Sequence, residues 1–308
     1  MEPTQNRLRE QGTTTLPPSV ATALIDNDCK PLNVGEIEDV VRNLPALPGV
    51  VVELLATLRD NDASLDRMAE LIATDQSLAA RALRLANSPF YGMPRKVTSI
   101  AEAIALVGVA SIRTIVLAAS LPGHFRVARK SGFDLDRFWR HSISAAIAAK
   151  SFAHLHGGKE NDAFVAVLLH DIGKLVLAIG FPDRYALVLS RLRAHEIDPR
   201  EIEAGVFATD HTVVGGLLAQ RWNLPTQIVS VISDHHNPDL FEEYPLTAIV
   251  YTANYLVRCL EHPDDPIWRG VALDICGRRL GVTEEQLDAI LASTADQVEA
   301  LYTSLAQD

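Results

Sequence analysis

Apolar positions recur with helical spacing almost without interruption after residue 35. In ASLDRMAELIATD, Leu65, Met68, Leu71 and Ile72 share one face, and Ser64 is placed to cap the helix. The next segment, DQSLAARALRLANS, carries Leu78, Ala82, Leu85 and Ala86 on one stripe and stops at Asn87-Ser88-Pro89. Ser99 and Glu102 have capping-box spacing ahead of Ile100, Ile104 and Val107, and Gly108 marks the stop. A helix over 110–121 is predicted to end at Pro122-Gly123. Further helices are predicted over 138–156, 163–179 (strongly apolar), 181–195, 211–222, 225–235 and 246–260. The tail over 268–305 reads as three short helices, the second opened by Thr283-Glu284-Glu285. Two Val-rich stretches, 49–52 and 112–117, resemble strands, but their flanks are helical and no alternating segment exceeds four residues. The predicted fold is all-α.

Residues 1–35 are polar, Thr-rich and interrupted by Pro17, Pro18 and Pro31, which reads as an arm without a core of its own. The most polar interior stretch, GHFRVARKSGFDLD, is the natural boundary between two helical lobes, 36–125 and 135–262, with C-terminal helices over 263–308. Its Arg126, Arg129 and Lys130 form the main basic patch, which fits a solvated connection. Chain-wide, 28 Lys+Arg stand against 39 Asp+Glu, a net charge of −11 that argues against a duplex-DNA binder. GVASIRTIVLA invites comparison with a helix-turn-helix, but its second helix is too apolar to face DNA.

Cys29, Cys259 and Cys276 are scattered and odd in number, which disfavours disulfides or thiolate zinc and suits a reducing interior. The opening MEPTQNRLREQG lacks the apolar core of a secretory signal, and apolar runs such as 163–169 fall far short of the ~20 residues that span a bilayer. The expectation is a cytoplasmic protein with no membrane association. NSPFYGMPRKV, with Phe90, Tyr91 and Met93, is the loop best suited to contact a protein partner, although packing of its aromatics reads equally well.

The candidate chemistry lies in the ten histidines. His170-Asp171 sits within VLLHDIGKL, where an imidazole and a carboxylate side by side must either pair with each other or bind a cation. His141, His211 and the adjacent His235-His236 stand where helices can bring them together. Imidazoles with one carboxylate suit Zn, Fe, Mn, Ni or Co rather than Ca, and Asp171 can bridge two such ions. Lys174, one turn beyond His170, can neutralise a bound phosphate or a metal-bound hydroxide. His124, His154, His156, His195 and His262 read as structural or surface residues.

The order His141, His170-Asp171-Ile172-Gly173-Lys174, His211, His235-His236 resembles the metal-dependent HD phosphohydrolase superfamily, and most closely its HD-GYP branch. The first lobe resembles the HDOD (HD-related output domain) family. It carries the Leu-Pro-x-Leu-Pro opening at LPALP, the Asp-x-x-Leu helix at DQSL, the Asn-Ser stop and an Ala-x-x-x-Leu-Gly-type helix. The likeness spans about 36–240 and takes in DHTVVGGLLAQRWNLP and the HH-x-P segment. It implies a bacterial signalling output module, with an HD-like second lobe, a protein partner and little or no catalysis.

The alternative implied by the HD-GYP branch is hydrolysis of a cyclic dinucleotide or another nucleotide phosphate. His141, His170, Asp171, His211, His235 and His236 would then ligate one or two divalent metals (Fe, Mn, Zn or Ni), with Asp171 and Lys174 in catalytic roles. Two departures stand against it. No Gly-Tyr-Pro follows the His-Asp pair, and the final ligand aspartate of HD enzymes corresponds to Asn254 in YTANYL. An amide oxygen can ligate weakly but brings no negative charge.

Overall fold

Helix follows helix from Val34 to Ala306 in the computed structural model, and no strand occurs among the residues it describes: 32–44, 65–125, 132–194, 198–237 and 245–306, with Gly49, Val51 and Glu53. The N-terminal arm up to Pro31, Ser64, the basic cluster Arg126, Arg129 and Lys130, and His195 lie outside the described residues. Both strand-like stretches are helical where they are described, at Gly49, Val51 and 112–117. Their Val-rich composition reflects burial on helices.

Helix α1 is Val34–Asn43, followed by α2 (Leu65–Ala73), α3 (Gln76–Ala86), α4 (Ile100–Val107) and α5 (Val109–His124). The Asp75 side chain caps α3 by accepting from Leu78 N at 2.9 Å. The Asn-Ser stop has a mechanical basis. Asn87 donates to Leu83 O and Val97 O and accepts from Val97 N at 2.7 Å, closing the 88–97 loop on its own stem. Ser99 caps α4 through Glu102 N at 3.1 Å, but Glu102 turns to Thr98 N and Arg95 instead of completing the box. Gly108 ends α4 and starts α5 at a φ of +84°, a backbone geometry that L side chains rarely adopt. The predicted end of α5 at Pro122-Gly123 is overrun to His124.

Next come α6 (Leu135–Leu155), α7 (Glu160–Leu169), α8 (Ile172–Gly180), α9 (Pro182–Ala194), α10 (Pro199–Phe207), α11 (His211–Arg221), α12 (Thr226–Asp234) and α13 (Pro245–Glu261). α6 is central among them. Its alanines at 145, 146, 148 and 149 are buried, as a helix enclosed by α7, α13 and the last helix requires. The tail forms two helices, α14 (Pro266–Leu280) and α15 (Glu284–Ala306), where the sequence pattern predicted three. No Gly or Pro interrupts EEQLDAILASTADQVEALYTSLA, so the helix runs on for 23 residues. α15 lies along α6 and also touches α3 and α5, while α1 packs on α8 and α11.

The segment Glu160–Gly180 is apolar and long enough to cross a membrane by length and composition, its most apolar 18-residue window having a mean hydropathy of 1.9, but 83% of that window is buried inside the protein. It behaves as core. The continuous helix predicted over 163–179 is interrupted at His170-Asp171, where α7 ends and α8 begins. Neighbouring residues on one helix point about 100° apart. The break lets both side chains turn toward the same interior space.

Candidate metal centre

Helices α7, α8, α11 and α12 bring His170, Asp171, His211, His235 and His236 together. Asp171, His211, His235 and His236 present ligand-type atoms within 4.8 Å of one another, and His141, His170 and Asp171 form a second such set. Asp171 belongs to both. Its Oδ1 lies 3.3 Å from His211 Nε2 and 3.6 Å from His235 Nε2, and its Oδ2 lies 3.4 Å from His170 Nε2. Lys174 Nζ donates to Asp171 Oδ2 at 2.6 Å. The ring centroids of His235 and His236 are 4.3 Å apart, and those of His170 and His235 are 4.9 Å apart.

Glycine makes this closeness possible. A Cβ on Gly173 would sit 1.9 Å from His211 O and 2.7 Å from Gly215 N. Bare backbone at Gly173 and Gly215 lets α8 and α11 touch, which draws His211 up to Asp171.

The outward nitrogens of three rings are already engaged. His170 Nδ1 donates to Val167 O at 2.6 Å, His235 Nδ1 donates to Ile232 O at 3.0 Å, and His211 Nδ1 donates to Glu203 Oε2 at 2.6 Å. These acceptors select the tautomer whose Nε2 lone pair faces inward. The Nε2 atoms of His170, His211, His235 and His236 and Oδ1 of Asp171 are buried without a hydrogen-bond partner. Burial pushes the His170 imidazole down to about 3 and lowers His235 and His236 as well, so all three are neutral near pH 7. Burial would raise the Asp171 carboxyl, but the charge His170 would carry when protonated and the Lys174 ammonium on Oδ2 hold it well below its ordinary value. A carboxylate facing neutral imidazole lone pairs is the donor set of a divalent transition-metal site.

His141 stands apart in one respect. Its Nδ1 meets Glu261 Oε1 and its Nε2 meets Asn254 Oδ1, each at 2.8 Å. Asn254 is therefore adjacent to the cluster through His141. His154 and His156 are on the surface, and His262 stacks on Trp268 with ring centroids 6.1 Å apart. The described backbone of α5 ends at His124.

The HDOD domain family model matches residues 44–238. The chain belongs to the HDOD family. An uncharacterized protein of Treponema pallidum (strain Nichols) is 28% identical over 229 residues, which make up 73% of this chain and 44% of that protein. The chain thus spans less than half the length of that relative. Among solved structures, a proposed phosphohydrolase of Shewanella amazonensis SB2B aligns with a TM-score of 0.72 at 26% identity, over 88% of this chain and 98% of its own. A proposed signal-transduction protein of Marinobacter aquaeolei VT8 shares the fold, with a TM-score of 0.71 at 22% identity, over 96% of this chain and 68% of its own.

Two residues of this HDOD chain that support the cluster escape a reading of the sequence. Glu203 lies on α10, a helix absent from the predicted elements, and is completely buried while accepting from both His211 N and His211 Nδ1. Its signal was a carboxylate inside the stripe Ile202, Val206 and Phe207, a position that burial makes expensive without a partner. Glu261 shares a face of α13 with Asn254, two turns away, and orients His141.

The suggested partner loop is partly folded inward. Phe90 and Tyr91 pack edge to face, and Phe90 also rests on Phe164 with ring centroids 5.9 Å apart.

Proposed function

We propose that the chain is a cytoplasmic bacterial signalling module that holds a divalent transition metal (Fe, Mn, Zn or Ni) in the His/Asp cluster and hydrolyses little or no phosphodiester. The observation carrying this reading is the convergence of four orphaned Nε2 atoms and Asp171 Oδ1 in a buried space. Leaving such groups unpaired costs about 1–3 kcal/mol each, and a cation satisfies them together. His170, Asp171, His211, His235 and His236 would hold the metal. With its Nε2 engaged by Asn254, His141 would be at most a weaker ligand, so occupancy is expected near one ion per chain.

A metal in such a site supplies Lewis acidity and a readily deprotonated water. For its own part the chain provides Lys174, whose ammonium rests on Asp171, as the cation for a phosphate-bearing ligand. At the position of the final carboxylate, Asn254 adds no charge to balance the ion and no base, which is the ground for expecting little turnover. The family's role as an output module favours a protein partner in a signalling pathway, and the net charge of −11 disfavours DNA. The second reading, a phosphohydrolase of HD-GYP type, draws support from Lys174 and from the proposed activity of the Shewanella neighbour.

Metal analysis of purified protein, followed by hydrolysis assays on cyclic-di-GMP with added Mn or Fe, separates these readings. The expected result is bound metal without turnover, with activity appearing in Asn254→Asp. Protein that is metal-free and takes up none on addition would overturn both readings, and robust turnover by the natural chain would establish the enzyme.

Glu203→Gln provides a finer test. The amide can no longer hold the His211 tautomer as a carboxylate does, so metal affinity is expected to fall about 10- to 100-fold with the fold retained. Unchanged affinity would remove His211 from the ligand set.

A further inference from the structure

A second concave site lies where the 89–91 turn, the C-terminal half of α6 and the first half of α15 meet. It is a cleft of about 420 Å³ lined in part by Phe90, Ile147, Lys150, Glu160, Ile290 and Gln297, and it shares no residue with the His/Asp cluster. That volume falls in the range of small-molecule pockets. Its walls are divided in character. Phe90, Ile147 and Ile290 supply an apolar side, while the Ser293–Gln297 pair, joined at 2.7 Å, supplies a polar one.

Lys150 is the unusual group. Its side chain is only 28% exposed, and its ammonium stands 4.8 Å above the Phe90 ring and 5.7 Å from the Tyr91 ring. The nearest carboxylate oxygen, Glu160 Oε2, is 3.9 Å away, beyond hydrogen-bond reach, and the other Glu160 oxygen is taken by His154 Nδ1 at 2.8 Å. Among the described residues no acceptor completes a hydrogen bond to Lys150. Burial lowers its pKa, as expected for an ammonium whose water is incompletely replaced. Cation–π contact offsets part of that loss, and the N–H donors, with no protein acceptor within hydrogen-bond reach among the described residues, are open to water or an occupant of the cleft.

We propose that this cleft binds a small organic monoanion, a carboxylate on a flat or short-chain apolar body, with the carboxylate on Lys150 and the body against Phe90, Ile147 and Ile290. A monoanion fits better than a phosphate dianion because Glu160 stands beside the same ammonium and would repel a second charge. An occupant would touch the 89–91 turn from the first lobe, α6 from the second, and α15 from the tail at once. Binding would thus stabilise the contact between lobes and raise the melting temperature.

The test is a fluorescence titration with 8-anilinonaphthalene-1-sulfonate, an anionic aromatic probe, with octanoate and octylamine as competitors. Saturable one-site binding is expected, displaced by octanoate and not by octylamine. Lys150→Met should weaken binding by about tenfold or more, whereas Lys150→Arg should largely retain it. Ala289 lines the cleft from an exposed position on α15, so Ala289→Trp should block the probe without disturbing the core. Absence of probe binding to the natural chain would overturn the proposal. So would equal affinity in Ala289→Trp, or displacement by octylamine as effective as by octanoate.

Discussion

Stripped of metal, the protein is expected to lose stability continuously as the pH falls below about 6.5, the ordinary histidine value. His170, His235 and His236 are held neutral in the folded state by burial, His170 down to about 3. Above their unfolded pKa both states carry neutral rings, and the three contribute nothing to the slope. Below it the unfolded chain takes up protons that the folded chain refuses, so unfolding becomes progressively easier. Each ring contributes up to about 1.4 kcal/mol per pH unit, and the three together up to about 4.

Asp171 acts in the same sense but at lower pH. With its folded pKa depressed, it stabilises above its ordinary value of 3.8 and loses that contribution only as the pH falls through its lower folded value. It therefore adds to the slope only below about pH 5. Urea melts in chelator at pH values between about 7.5 and 4.5 measure the effect, and a flat midpoint across that range would mean that the rings accept protons in place. Metal-loaded protein should be more stable at each pH, and because the folded His170, His235 and His236 rings resist protonation, the gain should shrink only as the pH approaches their lowered pKa values.

Gly173→Ala is expected to be among the most damaging single-methyl changes available to this chain. The added carbon would lie 1.9 Å from His211 O and 2.7 Å from Gly215 N, both backbone atoms of α11 that no rotamer change can move aside. Helix propensity alone favours alanine by about 0.5–1 kcal/mol. Displacing one packed helix from another outweighs that gain, and a loss of about 3 kcal/mol or more is expected. The displacement is also directed. It moves His211 away from Asp171, so metal affinity should collapse even in molecules that stay folded.

Gly270→Ala is the matched control. Gly270 lies within α14 with nothing inside 4 Å of an added Cβ, so the change should be neutral or mildly stabilising. Thermal melts together with metal titration of the two variants check the claim. A Gly173→Ala protein with undiminished metal affinity would show that the α8–α11 contact does not position the site.

Much of the fold is legible as periodicity. The stripe Leu78, Ala82, Leu85 and Ala86 is the buried face of α3, and Asn87 ends that helix as its polarity implies. Expectation and structure part where local signals compete. Val-rich runs resemble strands until burial on a helix accounts for them. Pro122 reads as a stop, yet α5 runs on to His124. The tail reads as three helices although nothing within Glu284–Ala306 breaks one. In each case the signal was an average preference, and packing against α6 or the first lobe decided the outcome.

By itself the sequence determined the helical class, the buried helical stripes and the order of His141, His170-Asp171, His211 and His235-His236, because these depend on periodicity and residue type. Convergence required the tertiary structure. His211 reaches Asp171 because two glycines remove the side chains that would hold α8 and α11 apart. His170 and Asp171 face the same space because the helix breaks between α7 and α8, in a segment whose uniform apolarity predicts continuity. Glu203 and Glu261 acquire their roles only through contacts made across helices. Chain order lists the donors; the close approach of backbones and the partners of the outward nitrogens decide which lone pairs point inward.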